Sequence, residues 1–169
     1  MRLIIAGAAA LNPKVSKALR AMGLNIMQGY GLTECSPIVS VNRLDTYRDA
    51  SAGLPLPGVA ITIENPEPDG IGEIVVRGDI VMLGDYNNPE ATAACLSDGA
   101  LRTGDNGYID RNGFLFISGR KKNVIVTKNG KNIFPEDVEL YLNKSVFIKE
   151  SLVYGVDGGE DEDTMVCAR

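Results

Sequence analysis

The segment from Arg102 to Lys122, RTGDNGYIDRNGFLFISGRKK, constrains this chain most, because it reads as a β-hairpin with opposite charges at its open end. Tyr108-Ile109 and Phe114-Leu115-Phe116-Ile117 are β-prone runs, and Asn112-Gly113 lies between them. An Asn-Gly pair favours a two-residue type I′ turn, since both central positions need positive φ. That turn sets Arg111 against Phe114 and, counted outward, Asp105 against Arg120. A bulge at Gly104 or Gly107 would shift the register. Asp105 and Arg120 each follow a glycine, Gly104 and Gly119, which lets a ligand come close to the backbone. Two readings stand at this point. An exposed Asp-Arg pair is commonly a surface ion pair contributing about 0–1 kcal/mol. The same two groups suit a ribose, because a carboxylate accepts from two vicinal hydroxyls and a guanidinium forks onto oxygens.

Histidine is absent from the 169 residues. Ser-His-Asp and Cys-His catalysis within this chain are therefore excluded, as is histidine ligation of a metal. Cys35, Cys95 and Cys167 are odd in number and far apart, which argues against a disulfide framework or a zinc site. A net charge of −5 with no dominant basic patch gives no reason to expect nucleic acid. No apolar run approaches the roughly 20 residues that span a bilayer, and MRLIIAGAAAL is short for a signal peptide. A cytoplasmic setting is expected. With 44% hydrophobic residues the chain can build one ordinary domain or two small ones.

Residues 3–6 (LIIA) read as a short buried strand. Asn12-Pro13 then reads as a cap and first helical position, Val15, Ala18, Leu19 and Met22 follow with helical period, and Gly23 closes the helix. Residues 25–27 make a second strand, so the start has the strand-helix-strand order of a parallel sheet. From Gly53 the character changes. AITIEN (60–65) and GEIVVRG (72–78) are short β runs around a turn at PEPDG, and Asn88-Pro89-Glu90 opens a short helix ending near Leu96. With the hairpin, this middle part reads as an antiparallel, barrel-like unit. Beyond Lys122, NVIVTKNGKNIF predicts a β pair turning at Asn129-Gly130. Pro135-Glu136-Asp137 starts a helix with acids in its first turn, where the dipole favours them, and Val138, Tyr141, Leu142 and Ser145 mark its inner face. Residues 151–156 (SLVYGV) form a strand, and the acidic run 157–163 reads as a solvated loop without calcium-loop spacing.

Residues 28–34 read QGYGLTE and directly follow the predicted strand at 25–27. Ligands of open parallel sheets bind beyond the carboxyl ends of strands. Gly29 and Gly31 bracket Tyr30, whose ring can face a base. Thr33 offers a hydroxyl to a phosphate oxygen, and Glu34 a hard oxygen to Mg²⁺. A plain strand-to-loop turn with a packed tyrosine fits this segment equally well.

QGYGLTE, the GEIVVRG…VMLGDYNNPEAT run, RTGD and GRKKNVIVTKNGKNIFPEDVE together resemble, in order, the adenylate-forming superfamily. Within it the chain looks most like a bacterial long-chain fatty-acid–CoA ligase, and the resemblance covers essentially the whole chain. It implies an α/β fold. Residues 1–52 are the end of the α/β part of an acyl-CoA synthetase-like N-terminal domain. Residues 53–121 are its β-barrel-like part, and 122–169 a truncated small α+β C-terminal domain. The implied reaction joins a fatty acid to ATP as acyl-adenylate with loss of pyrophosphate. The thiol of coenzyme A then displaces AMP. By position in the motifs, Tyr30 stacks on adenine, Thr33 contacts the α-phosphate and Glu34 helps to hold Mg²⁺. Asp105 and Arg120 bind the ribose, and Lys122 is the hinge of the C-terminal domain. Gly130 lies in the loop that approaches the pantetheine channel. Gly7, Ala8 and Ala9 match a loop beside adenine and the acyl group. The resemblance makes ATP, AMP, Mg²⁺, coenzyme A and a fatty acid the ligands, and leaves open a peripheral membrane association of the parent.

The chain departs from the family pattern in places. Ala8-Ala9-Ala10 replaces Gly-Ala-Pro, and Asn106 stands where leucine is common. The Ser/Thr/Gly-rich phosphate loop is expected upstream of residue 1, and the lysine serving adenylation downstream of residue 169. The chain is thus expected to be an internal fragment that does not catalyse the reaction alone. Alternatives are a noncatalytic adenine-nucleotide-binding module, another acyl or aryl acid adenylating enzyme, and a remnant that binds nothing. With ATP, Mg²⁺ and palmitate, this polypeptide is expected to release no pyrophosphate above background; clear turnover in a coupled assay would contradict that.

Overall fold

A computed structural model describes residues 3–7, 11–127, 131–156 and 164–169. The chain divides into two compact units, Met1–Thr103 with Gly107–Ile117, and Gly104–Asn106 with Ser118–Arg169. In the first unit, strand β1 (Leu3–Ala6) leads through helix α1 (Pro13–Ala21) to β2 (Asn25–Tyr30). The two strands pair in parallel, Leu3 with Asn25 through Ala6 with Gln28, as the sequence order requires. The helix starts where its cap predicts: Asn12 Oδ1 accepts from the Lys14 N–H at 2.9 Å, with Pro13 next in line. Its apolar row does not face the core of this unit. Val15 and Met22 are 45% and 74% exposed, whereas Ser16 is buried. Ser16 Oγ donates to Asp49 Oδ1 at 2.7 Å, Arg20 donates to the Ile26 carbonyl, and the Arg20 guanidinium lies 3.6 Å from the Tyr47 ring centroid. Polar bonds thus orient α1.

Strands β3 (Ser40–Val41) and β4 (Leu54–Pro55) extend the sheet in the order β1-β2-β3-β4, with antiparallel pairings after β2. The loop between them is closed by Asn42, which is buried. Its amide donates to the Ser51 carbonyl at 2.7 Å and its Oδ1 accepts from the Arg48 N–H at 3.0 Å.

The second sheet holds β5 (Ala60–Glu64), β6 (Gly72–Arg77), β7 (Leu96–Ser97), β8 (Ala100–Ile109) and β9 (Leu115–Arg120). Its order is β5-β6-β8-β7, with β9 on β8. β5 and β6, the two short β runs around the PEPDG turn, pair antiparallel, Ile61 opposite Val76 and Ile63 opposite Ile74. Helix α2 (Pro89–Cys95) is capped by Asn88, whose Oδ1 accepts from the Ala91 N–H at 3.0 Å. Cys35, Val39, Ala52, Ile74, Val76, Leu101 and Leu115 form one buried cluster, so both sheets of this unit share a core.

The hairpin forms, but its turn corrects the expectation. Asn112 has no positive φ; only Gly113 does, at +85°. The Gly113 N–H donates to the Asp110 carbonyl at 2.9 Å, and the Asp110 N–H donates to the Phe114 carbonyl at 3.0 Å. Asp110, and not Arg111, therefore stands opposite Phe114, in a three-residue loop with its glycine left-handed. Asp110 supplies the reason. Its Oδ1 accepts from the Asn112 N–H at 2.8 Å and the Phe114 N–H at 3.0 Å, a side-chain turn that a tighter loop would lose. Further out, the Tyr108 and Phe116 rings stack at 4.8 Å.

In the second unit, β10 (Ile125–Val126) pairs antiparallel with β11 (Asn132–Ile133), and helix α3 (Pro135–Leu142) follows. The turn expected at Asn129-Gly130 and the acidic run 157–163 lie outside the described residues. β12 (Val153–Val156) pairs antiparallel with β13 (Met165–Ala168), a strand the sequence pattern did not predict. The predicted inner face of α3 holds at Val138 and Leu142, which are half-buried. Tyr141 is instead 75% exposed, with the Lys144 ammonium 3.7 Å from its ring centroid. No helix among the described residues is long and apolar enough to cross a membrane.

Burial pushes the Asp110 carboxyl up, but the bonds from Phe114 and Asn112 and the charge of Arg48 outweigh this and hold it below the ordinary aspartate range. A depressed folded value means support that is present above the ordinary range and lost as pH falls through the lowered one. The urea midpoint of Asp110→Ala should therefore lie below that of the parent chain at pH 7. The gap should close as pH is taken down through the ordinary aspartate range and below it. A gap that persists undiminished in acid would rule this role out.

Candidate functional site

Beyond Tyr30 the chain leaves β2 through Gly31 and Leu32 and makes a single tight turn, Thr33–Cys35. This is the carboxyl end of a parallel strand pair, where ligands of such sheets bind. The loop is closed at its base: the Val39 N–H donates to the Tyr30 carbonyl at 2.9 Å, and Tyr30 is opposite Ser40 in the ladder. Gly31 has no room for a side chain, because a Cβ there would lie 1.7 Å from the Pro37 carbonyl oxygen. The buried Cys35 anchors the loop in the core, and Tyr30 and Leu32 pack against the same cluster. That anchoring leaves Thr33 exposed and Glu34 partly exposed at the turn. The Glu34 carbonyl accepts from the Met82 N–H at 2.8 Å, which fixes its backbone. Burial, and then the charge of Glu34, push the Cys35 thiol up to about 11. Gly7, at the end of β1, is exposed. Ala8 and Ala9 lie outside the described residues, as does Gly130.

In the second unit the structure brings Asp105 and Arg120 together. Arg120 Nε lies 3.4 Å from Asp105 Oδ1, with the arginine side chain 75% exposed and the aspartate 13%. The pair forms although the turn is one residue out of the predicted register. Gly104, with φ +72°, interrupts the extended course of β8 one residue before Asp105, and a guanidinium reaches across a one-residue offset. The two glycines beside the pair differ. Around Gly104 nothing lies within 4 Å of where a Cβ would be, so the backbone there is open. At Gly119 that space is taken by the protein itself, with Glu136 Oε2 at 2.7 Å and Phe134 Cδ1 at 3.1 Å from a Cβ position. Gly119 therefore makes room for Glu136 and not for a ligand. Lys122 is exposed in the turn Lys121–Asn123 that follows β9. Sequence reasoning passed over Asn123 and Glu136, which are joined by a hydrogen bond from Asn123 Nδ2 to Glu136 Oε1 at 3.2 Å. The only signal was an acid just after the proline that opens α3.

Among the described residues no three cysteine, aspartate or glutamate side chains converge into a cation cage. What the two units present is a hydroxyl and a carboxylate on the loop after β2, and a shielded carboxylate with an exposed guanidinium at the ends of β8 and β9.

The fold is that of the adenylate-forming class. The chain belongs to the AMP-binding enzyme family, whose model matches residues 1–86. It is 37% identical over 154 residues to the long-chain-fatty-acid–CoA ligase FadD15 of Mycobacterium bovis, covering 91% of this chain and 25% of the relative. To the long-chain-fatty-acid–CoA ligase of Bacillus subtilis it is 40% identical over 160 residues, covering 90% and 28%. Its structure resembles that of o-succinylbenzoate CoA synthetase from Bacillus subtilis in complex with an acyl-adenylate intermediate. The TM-score is 0.91 at 31% identity, over 99% of this chain and 36% of that one. The same enzyme in complex with ATP and magnesium ion gives 0.89 at 32%, over 99% and 36%. The chain thus spans about a quarter of the length of these curated relatives.

The raised Cys35 thiol carries a chemical consequence, since only the thiolate reacts. In the native chain at pH 8, Ellman's reagent should leave Cys35 unmodified until urea unfolds the protein, while the partly exposed Cys167 is open to it. Modification of Cys35 at the rate of a free thiol under native conditions would contradict its placement in the core.

Proposed function

We propose that this chain is the adenosine-holding part of an AMP-forming fatty-acyl-CoA ligase. The observation that carries the reading is the Asp105–Arg120 pair, a shielded carboxylate beside a guanidinium that is 75% exposed. As a surface ion pair alone it would contribute only about 0–1 kcal/mol. A ribose suits the pair, because its vicinal hydroxyls can donate to a fixed acceptor while Arg120 reaches over the sugar. Family membership and the similar structures that hold an acyl-adenylate or ATP support the same assignment.

On this reading residues 1–52 and 53–121 are the α/β and β-barrel-like parts of the N-terminal domain, and 122–169 the start of the C-terminal one. Tyr30 faces adenine, with Gly7, Ala8 and Ala9 beside it, and Gly29 and Gly31 set the path of the loop. Thr33 donates to an α-phosphate oxygen as the substrate carboxylate attacks phosphorus and pyrophosphate leaves. Coenzyme A sulfur then attacks the acyl carbon and AMP departs, with Gly130 near the incoming pantetheine. Glu34 suits a magnesium ion that arrives on the triphosphate, since Mg²⁺ is commonly held by one or two carboxylates together with substrate phosphates. That ion would offset charge on the phosphoryl oxygens. Lys122 marks the hinge between the two half-reactions.

Long-chain fatty acid is the preferred substrate class, on 40% identity to a long-chain ligase. An aryl acid is the second reading, favoured by the TM-score of 0.91 to the o-succinylbenzoate enzyme. Competition between palmitate and o-succinylbenzoate in the full-length parent separates the two. The site itself is tested by calorimetric titration of AMP. Asp105→Ala removes the charged acceptor of two hydroxyls and should weaken AMP by about 10- to 100-fold, from hydrogen bonds to a charged group of roughly 1.5–3 kcal/mol. Unchanged affinity in Asp105→Ala would remove the ribose role.

A further inference from the structure

The turn that carries Lys122 is short, and little in its own sequence holds it. Lys121–Asn123 makes one tight turn after β9, and Arg120 before it provides no side-chain cap. A carboxylate from another element reaches it instead. Glu136 lies in the first turn of α3, whose N-cap residue Phe134 offers no side-chain bond. It turns back so that Oε1 accepts from Asn123 Nδ2 at 3.2 Å. Its other oxygen, Oε2, is buried and has no hydrogen-bond partner among the described residues. That oxygen sits over Gly119, 2.7 Å from where a side chain there would begin, with the edge of Phe134 alongside. One carboxylate thus touches both ends of the segment Gly119–Asn123, by a hydrogen bond at one end and by occupying the missing side chain's place at the other.

We propose that Glu136 is a positioning residue that latches this segment, and so fixes where Lys122 and the exposed arm of Arg120 stand. The assignment of Lys122 as a hinge and Arg120 as a ribose contact rests on the reading above; the latch itself rests only on the geometry of Glu136, Asn123 and Gly119. Two features distinguish a latch from an incidental surface contact. Gly119 is needed for it, since any side chain there would displace the carboxylate. In addition, a carboxylate oxygen stays buried without a partner, a cost normally avoided unless the group's position is fixed by something else. Oε2 is then the releasable side of the latch, because no hydrogen bond is lost when that oxygen returns to water. The bond that must break for the turn to open is the one from Asn123.

Local opening of the turn can be read directly, because trypsin cuts after Arg120, Lys121 and Lys122, and cleavage follows the population of the open form. The experiment compares cutting at these three sites with cutting at Arg43 and Arg48 in the same chain, in the absence of nucleotide. Glu136→Ala and Asn123→Ala should each raise cutting at residues 120–122 by about tenfold relative to Arg43 and Arg48, on the scale of one lost hydrogen bond to a charged group. Glu136→Gln should restore protection, since its amide oxygen still accepts from Asn123. Asn123→Asp should open the turn by setting two carboxylates together, and the double variant Asn123→Asp with Glu136→Gln should close it again, with the glutamine amide now donating. A Glu136→Ala variant that speeds cutting equally at all sites is globally destabilised, and the Asn123→Asp pair then decides the matter. If that pair shows no rescue, or if Glu136→Ala and Asn123→Ala both leave the 120–122 sites unchanged, the latch is overturned. Because no ligand is present, failure of the ribose or hinge assignment cannot produce these results, and AMP titration of Asp105→Ala tests that assignment separately.

Discussion

Leu115 is the residue on which the first unit depends. Its carbonyl accepts from the Ala52 N–H at 2.8 Å and its N–H donates to the Gly53 carbonyl at 2.9 Å, so its backbone is shared between β9 and the strand leading into β4. Its side chain is fully buried with Ile74, Val76 and Leu101 from one sheet and Cys35, Val39 and Ala52 from the segments around the other. A backbone group inside a core must be hydrogen-bonded or it costs as much as burial gains. At Leu115 both backbone groups are satisfied while the side chain fills the core. Within this unit the loop holding Thr33 and Glu34 is therefore tied, through Cys35, to the core that Leu115 fills.

This arrangement explains which features could be read from sequence. The β-prone runs and the turn residues between them gave β5 and β6 as strands, while their register was not read from the sequence. The caps of α1 and α2 were local, each an asparagine followed by proline, and both form. The hairpin was visible but its turn type was not. Asn112-Gly113 favours a two-residue loop, and Asp110, two positions earlier, outcompetes it by accepting from two backbone amides. The apolar row of α1 was legible as a period and misleading as a contact, since Ser16 and Arg20 reach partners more than a helix turn away in sequence or on another strand. β13 escaped because Met165–Ala168 is largely exposed and carries no apolar alternation.

For the candidate site, the pairing of Asp105 with Arg120 was legible because it depends on the hairpin and tolerates an offset of one residue. A small ligand such as a ribose demands less of register than a buried ladder does, since the arginine side chain can take up the difference. The role of Gly119 was not legible. A glycine before a ligand-binding residue suggests space for the ligand, yet its space is filled by Glu136. That contact joins residues far apart in sequence, and nothing in the PEDVE segment distinguishes it from ordinary acids at a helix start.

The charge distribution around the end of β9 carries a further physical consequence. Arg120, Lys121 and Lys122 are three consecutive cations, and two carboxylates meet the segment that contains them, Asp105 at Arg120 and Glu136 at Asn123. Arg120 Nε meets Asp105 Oδ1 at 3.4 Å, and the arginine side chain stays 75% exposed. Glu136 is bonded to the amide of Asn123, so that bond orders the backbone of the turn without neutralising the Lys122 ammonium. A Glu136 paired with Lys122 instead would add a second ion pair to the one Asp105 makes with Arg120. Because Glu136 bonds to a neutral amide, the segment is held without cancelling the positive charge of Lys122.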